Sequence, residues 1–265
     1  YAATLEAALP GLAGQRAGAL RLSDAPFLRA VWLDNAGGTG WAGPMADLLA
    51  LADEAGAPDA ALLRAVEREV CPADPAIIIH TSGSTAQPKA VVHAQWGLAH
   101  HSVELARMFA LTPQDRMMPL LPAFWLAGLS TMTQALAIGA TVVYPASPAI
   151  DHALDMIERF GVTRVNAWGD RQPKLIEGAA ARGIAIGHIP ELSQFRNRDG
   201  QPIGTKIAMF GMTETFSAHS AHPVNEPLPS GKEATFGRAI GGYERRVVDP
   251  ATGIELPPGE VGEVQ

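Results

Sequence analysis

The residues best suited to chemistry run Ile77-Ile78-Ile79-His80-Thr81-Ser82-Gly83-Ser84-Thr85-Ala86-Gln87-Pro88-Lys89-Ala90-Val91-Val92-His93. A β-branched run enters four hydroxyl residues around a glycine, then Pro-Lys, then a second β-branched run. That order predicts strand, polyanion-binding loop, strand. Small hydroxyls and closely spaced backbone N–H groups are what a loop needs to wrap phosphate oxygens, and Lys89 supplies the counter-charge. The common P-loop needs G-x-x-x-x-G-K-[ST] at the opening of a helix, whereas here the lysine follows a proline and precedes a strand. Read alone, Thr-Ser-Gly fits a polar surface turn equally well.

Two further stretches carry candidate chemistry. Met209-Phe210-Gly211-Met212-Thr213-Glu214-Thr215 reads on its residues alone as a strand end with a glycine turn followed by a polar cap. Leu121-Pro122-Ala123-Phe124-Trp125-Leu126-Ala127-Gly128 reads on its residues as an apolar helix start after a proline, with core packing as its role. The histidines argue weakly for a metal. His100 and His101 point about 100° apart on a helix, and His93 is distant along the chain. His219 and His222 are better spaced but lack a third-ligand pattern such as H-E-x-x-H. A serine hydrolase is excluded by the lack of a G-x-S-x-G elbow.

The elements that must hold these residues follow from spacing. Tyr1 to Leu9 and Met45 to Val70 have helical periodicity, separated by a Gly-rich connector at 34–40. Cys71-Pro72-Ala73-Asp74-Pro75 is a turn before the first strand. Leu98, Ser102, Leu105, Ala106 and Phe109 mark an amphipathic helix from Trp96. A helix closes over Ala135 to Gly139, followed by a strand at 140–144, a helix at 151–161 and a strand at 162–165. Strands separated by helices predict an α/β fold with a mostly parallel sheet flanked by helices. Phe236 to Pro250 alternates in period two and then turns at Pro257-Pro258-Gly259, which predicts a β-rich C-terminal portion. The expected organisation is a helical lead-in at 1–70, an α/β region at 71–235 and a β-rich region at 236–265.

Composition narrows the partners. A chain of 265 residues that is 47% hydrophobic can bury a core. With 20 basic against 27 acidic residues, net charge −7 and no basic run, nucleic acid and anionic membrane are poor partners. The lone Cys71 excludes an internal disulfide framework and fits a reducing, cytoplasmic setting. No apolar run is long enough to span a bilayer. The start at Tyr1 reads as a cut inside a longer protein.

Thr81 to Ala90, taken with Phe210 to Glu214, resembles the adenylate-forming superfamily of AMP-binding acyl-CoA synthetases, luciferases and peptide-synthetase adenylation domains. The family pattern is an aromatic residue, then T-S-G-[ST]-T-G-x-P-K-G, and later Y-G-x-T-E. Here His80 replaces the aromatic, Ala86 and Ala90 replace two glycines, and Phe210 replaces the tyrosine. The resemblance runs from about Pro72 to Gln265 and implies part of the family's N-terminal domain, in its acyl-CoA synthetase branch. It implies that Thr81, Ser82, Gly83, Ser84, Thr85 and Lys89 bind the β- and γ-phosphates of ATP. Phe210 lies near the adenine, Gly211 belongs to the same cofactor-binding set, Thr213 serves the α-phosphate, and Glu214 holds Mg2+. Phe124, Trp125, Gly128 and Met212 line the acyl pocket, Trp125 standing where acyl-CoA synthetases often carry histidine, and Phe216 completes it. Lys89, Thr213 and Glu214 become the catalytic set. The family's G-G-[AE]-P-L segment has no counterpart between Ile189 and Lys206. The implied reaction converts a fatty or other apolar acid to acyl-adenylate and then acyl-CoA, with ATP, Mg2+ and coenzyme A, releasing AMP and pyrophosphate. Two alternatives stay open: an adenylation domain that loads a carrier protein, and a nucleotide-binding module without turnover. A homodimer also stays open.

Overall fold

The computed structural model describes residues 1–35, 37–54, 56–81, 88–193, 209–223, 230–232 and 235–265. They form two compact units, Tyr1–Val70 and Cys71–Gln265.

In the first unit, helix α1 (Ala2–Ala8) leads to a short parallel pair, β1 (Trp32–Leu33) and β2 (Gly43–Pro44), followed by α2 (Met45–Ala50) and α3 (Ala60–Glu69). Leu12, Leu20, Leu22 and Trp41 make its core, and the Trp41 indole donates to Glu6 Oε1 at 2.7 Å. Two expectations are corrected here. The connector at 34–40 is flanked by paired strands rather than by helices. The helical spacing over Met45 to Val70 is split, because Pro58 has no N–H for a continuing helix. The chain restarts at Asp59, whose carboxylate accepts from the Leu62 N–H at 2.7 Å and caps α3.

The second unit opens with an antiparallel hairpin, β3 (Pro75–Thr81) and β4 (Lys89–Ala94), and then α4 (Gln95–Met108). Alternation follows: β5 (Arg116–Pro119), α5 (Leu126–Ile138), β6 (Thr141–Val142), α6 (Ile150–Phe160), β7 (Arg164–Asn166), α7 (Arg171–Arg182) and α8 (Pro190–Ser193). This is the α/β stretch expected from the pattern, and its sheet is wholly parallel with order β6-β5-β7. Met118, Leu154, Ile157, Val165 and Leu175 pack its core. Burying this sheet beneath helices removes its apolar strands from water at roughly 25 cal/mol per Å2.

The remaining strands pair antiparallel. β8 (Met209–Met212) and β9 (Ser217–Ala221) form a hairpin around a 3-10 turn at Thr213–Thr215, and β10 (Arg238–Ala239) adds to β9. β11 (Val247–Val248) pairs with β12 (Glu263–Val264). The period-two run at 236–250 yields two short antiparallel-paired strands separated by a turn at Gly241–Gly242, in line with the β-rich portion expected there. The strand expected at 140–144 is reduced to Thr141–Val142. No helix among the described residues is long and apolar enough to cross a membrane.

Candidate functional site

The β3–β4 hairpin places Thr81 directly across from Lys89, so the two ends of the hydroxyl-rich loop meet at one mouth. Ser82, Gly83, Ser84 and Thr85 lie outside the described residues. Lys89 is exposed. Ala90 pairs with His80 inside the ladder and has no positive φ, so an alanine is accommodated where the family pattern has glycine. Along β4 the side chains of Lys89, Val91 and His93 share one face by the period of two.

The Thr213–Thr215 turn packs on this same strand. It meets β4 at His93, four residues from Lys89, a run of roughly 13 Å along the strand. His93 is buried, its ring lies edge-on to Phe216 at 5.1 Å, and it faces the Thr213 backbone and the Glu214 charge. Burial pushes its pKa down, an effect that Thr213 and Glu214 partly oppose. Gly211 has a structural reason that its motif position did not reveal: a Cβ there would lie 2.1 Å from the Ser217 carbonyl oxygen, at the bulge between Phe210 and Gly211. Thr215 Oγ1 donates to the Ser217 carbonyl at 2.8 Å, and the Tyr243 hydroxyl donates to the Thr215 carbonyl at 2.5 Å, which fixes the turn from behind.

Glu214 is exposed on this turn. Among the described residues no group of three or more His, Cys, Asp or Glu side chains is placed to hold a metal. One exposed carboxylate fits a Mg2+ ion whose other ligands are phosphate oxygens and water, rather than a protein cage. His219 sits on β9, and His222 follows the end of that strand. His93, distant from His101 in sequence, is brought with His219 into electrostatic reach of it.

Phe124 and Trp125 are 73% and 59% exposed in the turn between β5 and α5. The core-packing reading of this stretch is thus corrected: the helix starts only at Leu126, and the two rings precede it at the carboxyl end of a parallel strand. Gly128 is required because a Cβ would stand 2.3 Å from the Pro122 carbonyl oxygen. α5 packs on β9, with Ser130 Oγ donating to Ser217 Oγ at 3.5 Å, and so joins the β5–α5 turn to the hairpin that carries Thr213 and Glu214. Met212 and Phe210 are half-exposed on β8, Phe210 lying 5.3 Å from both the His219 and Phe236 rings. Phe216 does not join this lining: it is only 2% exposed and lies within the core beside His93. Tyr243 was missed in the sequence and His93 was weighed only as a metal ligand; their contact with the Thr213–Thr215 turn emerges only when β4 and β9 are packed together. The segment 194–208, which takes in most of the stretch that lacks the G-G-[AE]-P-L pattern, lies outside the described residues.

The AMP-binding enzyme family matches residues 31–169. Among curated relatives, the indoleacetate–CoA ligase of Aromatoleum aromaticum is 30% identical over 208 residues, covering 74% of this chain and 40% of its own length. The acetyl-coenzyme A synthetase of Pyrobaculum aerophilum is 30% identical over 211 residues, covering 71% of this chain and 31% of its own. The chain thus spans less than half the length of these relatives. A solved structure described as a long-chain-fatty-acid CoA ligase from Rhodopseudomonas palustris superimposes with a TM-score of 0.63 at 26% identity, covering 86% of this chain and 55% of that one.

Proposed function

We propose that this chain, which belongs to the AMP-binding enzyme family, carries the ATP-gripping and acid-binding part of an AMP-forming acid–CoA ligase. In the whole protein, a carboxylate oxygen attacks the α-phosphorus of ATP, the bond to the β-phosphate oxygen breaks, and pyrophosphate leaves. Coenzyme A then attacks the acyl carbon of the adenylate, AMP departs, and the thiol proton passes to solvent.

One observation carries this reading: the turn bearing Thr213 and Glu214 is seated on β4, the strand that begins at Lys89 opposite Thr81. Lys89 balances charge gathering on pyrophosphate, and the Thr81 hydroxyl stands at the same mouth to donate to it. Thr213 donates to the α-phosphate, whose oxygens gain charge in the transition state. Glu214 holds Mg2+, which when bound screens the triphosphate against the incoming carboxylate. The aromatic turn at Phe124 and Trp125 receives the acid, at the strand ends where α/β sheets bind ligands. The sequence from Leu120 to Leu136 contains no acidic residue to hold an α-ammonium, which favours an apolar acid without one.

The test is exchange of labelled pyrophosphate into ATP by the full-length protein with acetate, hexanoate, benzoate and indole-3-acetate. Exchange that requires one of these acids, and that Lys89→Ala and Glu214→Ala each abolish, is the expected result. Exchange retained by both variants would sink the residue assignment, and exchange indifferent to acid would sink the reaction. Thioester formation on free coenzyme A separates this reading from carrier-protein loading.

A further inference from the structure

Helix α5 is built inside out. It buries Ser130, Thr131 and Gln134 while leaving Leu136 74% exposed. Buried polar groups are costly unless bonded. Within α5, Gln134 Nε2 donates to the Ser130 carbonyl at 2.9 Å and Thr131 Oγ1 to the Ala127 carbonyl at 2.9 Å. At the first turn of the helix, a partner comes from outside it. Asn166, the last residue of β7, donates from Nδ2 to the Ala127 carbonyl at 3.3 Å and to Thr131 Oγ1 at 2.5 Å, while its own carbonyl accepts from the Leu120 N–H at 2.9 Å. One residue therefore grips both ends of the 120–127 segment that presents Phe124 and Trp125. The middle of that segment is held by the Ala123 N–H donating to the Tyr144 hydroxyl at 3.0 Å.

Resting on the functional reading above, we propose that Asn166 is a positioning residue for the acid: it clamps the aromatic turn at both ends, so the pocket wall is set before the substrate arrives. A fixed wall lowers the ordering cost of binding the acid and leaves ATP binding on β4 and the 213–215 turn untouched. A bonded, partly buried polar cluster rigidifies its surroundings in the way this role needs.

Asn166→Leu keeps the backbone bond and removes both side-chain donations. In the full-length protein it should speed amide hydrogen exchange at 123–131 at least tenfold, with α6 and α7 unchanged. It should also raise KM for the most active acid of the panel at least tenfold, with KM for MgATP within twofold. Thr131→Val should move both readouts part of the way, and Thr131→Ser, which keeps the hydroxyl, should restore them. Unchanged exchange at 123–131, or acid and MgATP constants rising together, would overturn the clamp. If no acid supports pyrophosphate exchange in the unmodified protein, the functional reading fails while hydrogen exchange still judges the clamp. Should Asn166→Leu not fold, the two Thr131 variants decide by the same measurements.

Discussion

Gly211 and Ala90 show how two motif positions of the glycine kind can be set by different forces. Both sit in segments that resemble glycine-bearing motifs. At Gly211, β9 passes so close that a Cβ would stand 2.1 Å from the Ser217 carbonyl oxygen. Gly211→Ala should therefore cost about 1–3 kcal/mol, read as a lower midpoint in urea unfolding. A midpoint equal to that of the unmodified protein would show that the hairpin can open without penalty. Ala90 lies within the β3–β4 ladder and lacks positive φ, so putting back the glycine of the family pattern should not help. Ala90→Gly should destabilise by about 0.5–1 kcal/mol through backbone entropy, and a gain in stability would contradict this placement. The sequence made both positions visible as motif positions, but which of them needs glycine depends on the strand passing behind each.

The β5–α5 turn and the β8–β9 hairpin each present aromatic residues that look alike in sequence. Phe124, Trp125 and Phe216 all read as pocket lining, yet the first two are exposed and Phe216 is buried against His93. Trp125→Ala should leave stability within about 0.5 kcal/mol, as exposed positions do, while shifting the preference among acids towards bulkier ones. Phe216→Ala should cost about 3–5 kcal/mol as a core deletion. Thermal unfolding of the two variants side by side checks the contrast, which fails if their losses are equal. Helices α4, α5 and α6 were legible from periodicity, with α5 and α6 closing at glycines. The shortened strands at 141–142 and 238–239 were not, because strand length depends on how far a neighbour continues to offer hydrogen bonds.

Across the second unit as a whole, α4, β4 and β9 bring His101, His93 and His219 together behind the candidate site, with Tyr243 4.9 Å from His101. Burial lowers the His101 pKa to about 4, opposed by the Ala218 backbone and reinforced by the charges of His100, His219 and His93. The His219 pKa is lowered by burial and then by Arg245, and burial raises that of Tyr243. The unfolded chain takes up the His101 proton near pH 6.5 and the folded chain only near 4. Its contribution to stability is therefore complete above 6.5 and is lost as pH falls through that window, by about 3 kcal/mol. Urea unfolding from pH 7.5 to 4.5 should show this loss, and His101→Leu should flatten it. An unaltered slope in the variant would place the acid sensitivity elsewhere.

The sequence by itself determined the chemistry on offer: hydroxyls and a lysine bracketed by strands, a Thr-Glu pair after a glycine, and an aromatic turn without a counter-charge. These are properties of side-chain type and short spacing, which survive any packing. Only the tertiary structure decided which of them meet. It seats Thr213 and Glu214 on the strand of Lys89, turns Phe216 inward, and lets Asn166 grip a turn forty residues upstream. Contacts between distant segments depend on how sheets and helices close over a common core, and no local pattern encodes that closure.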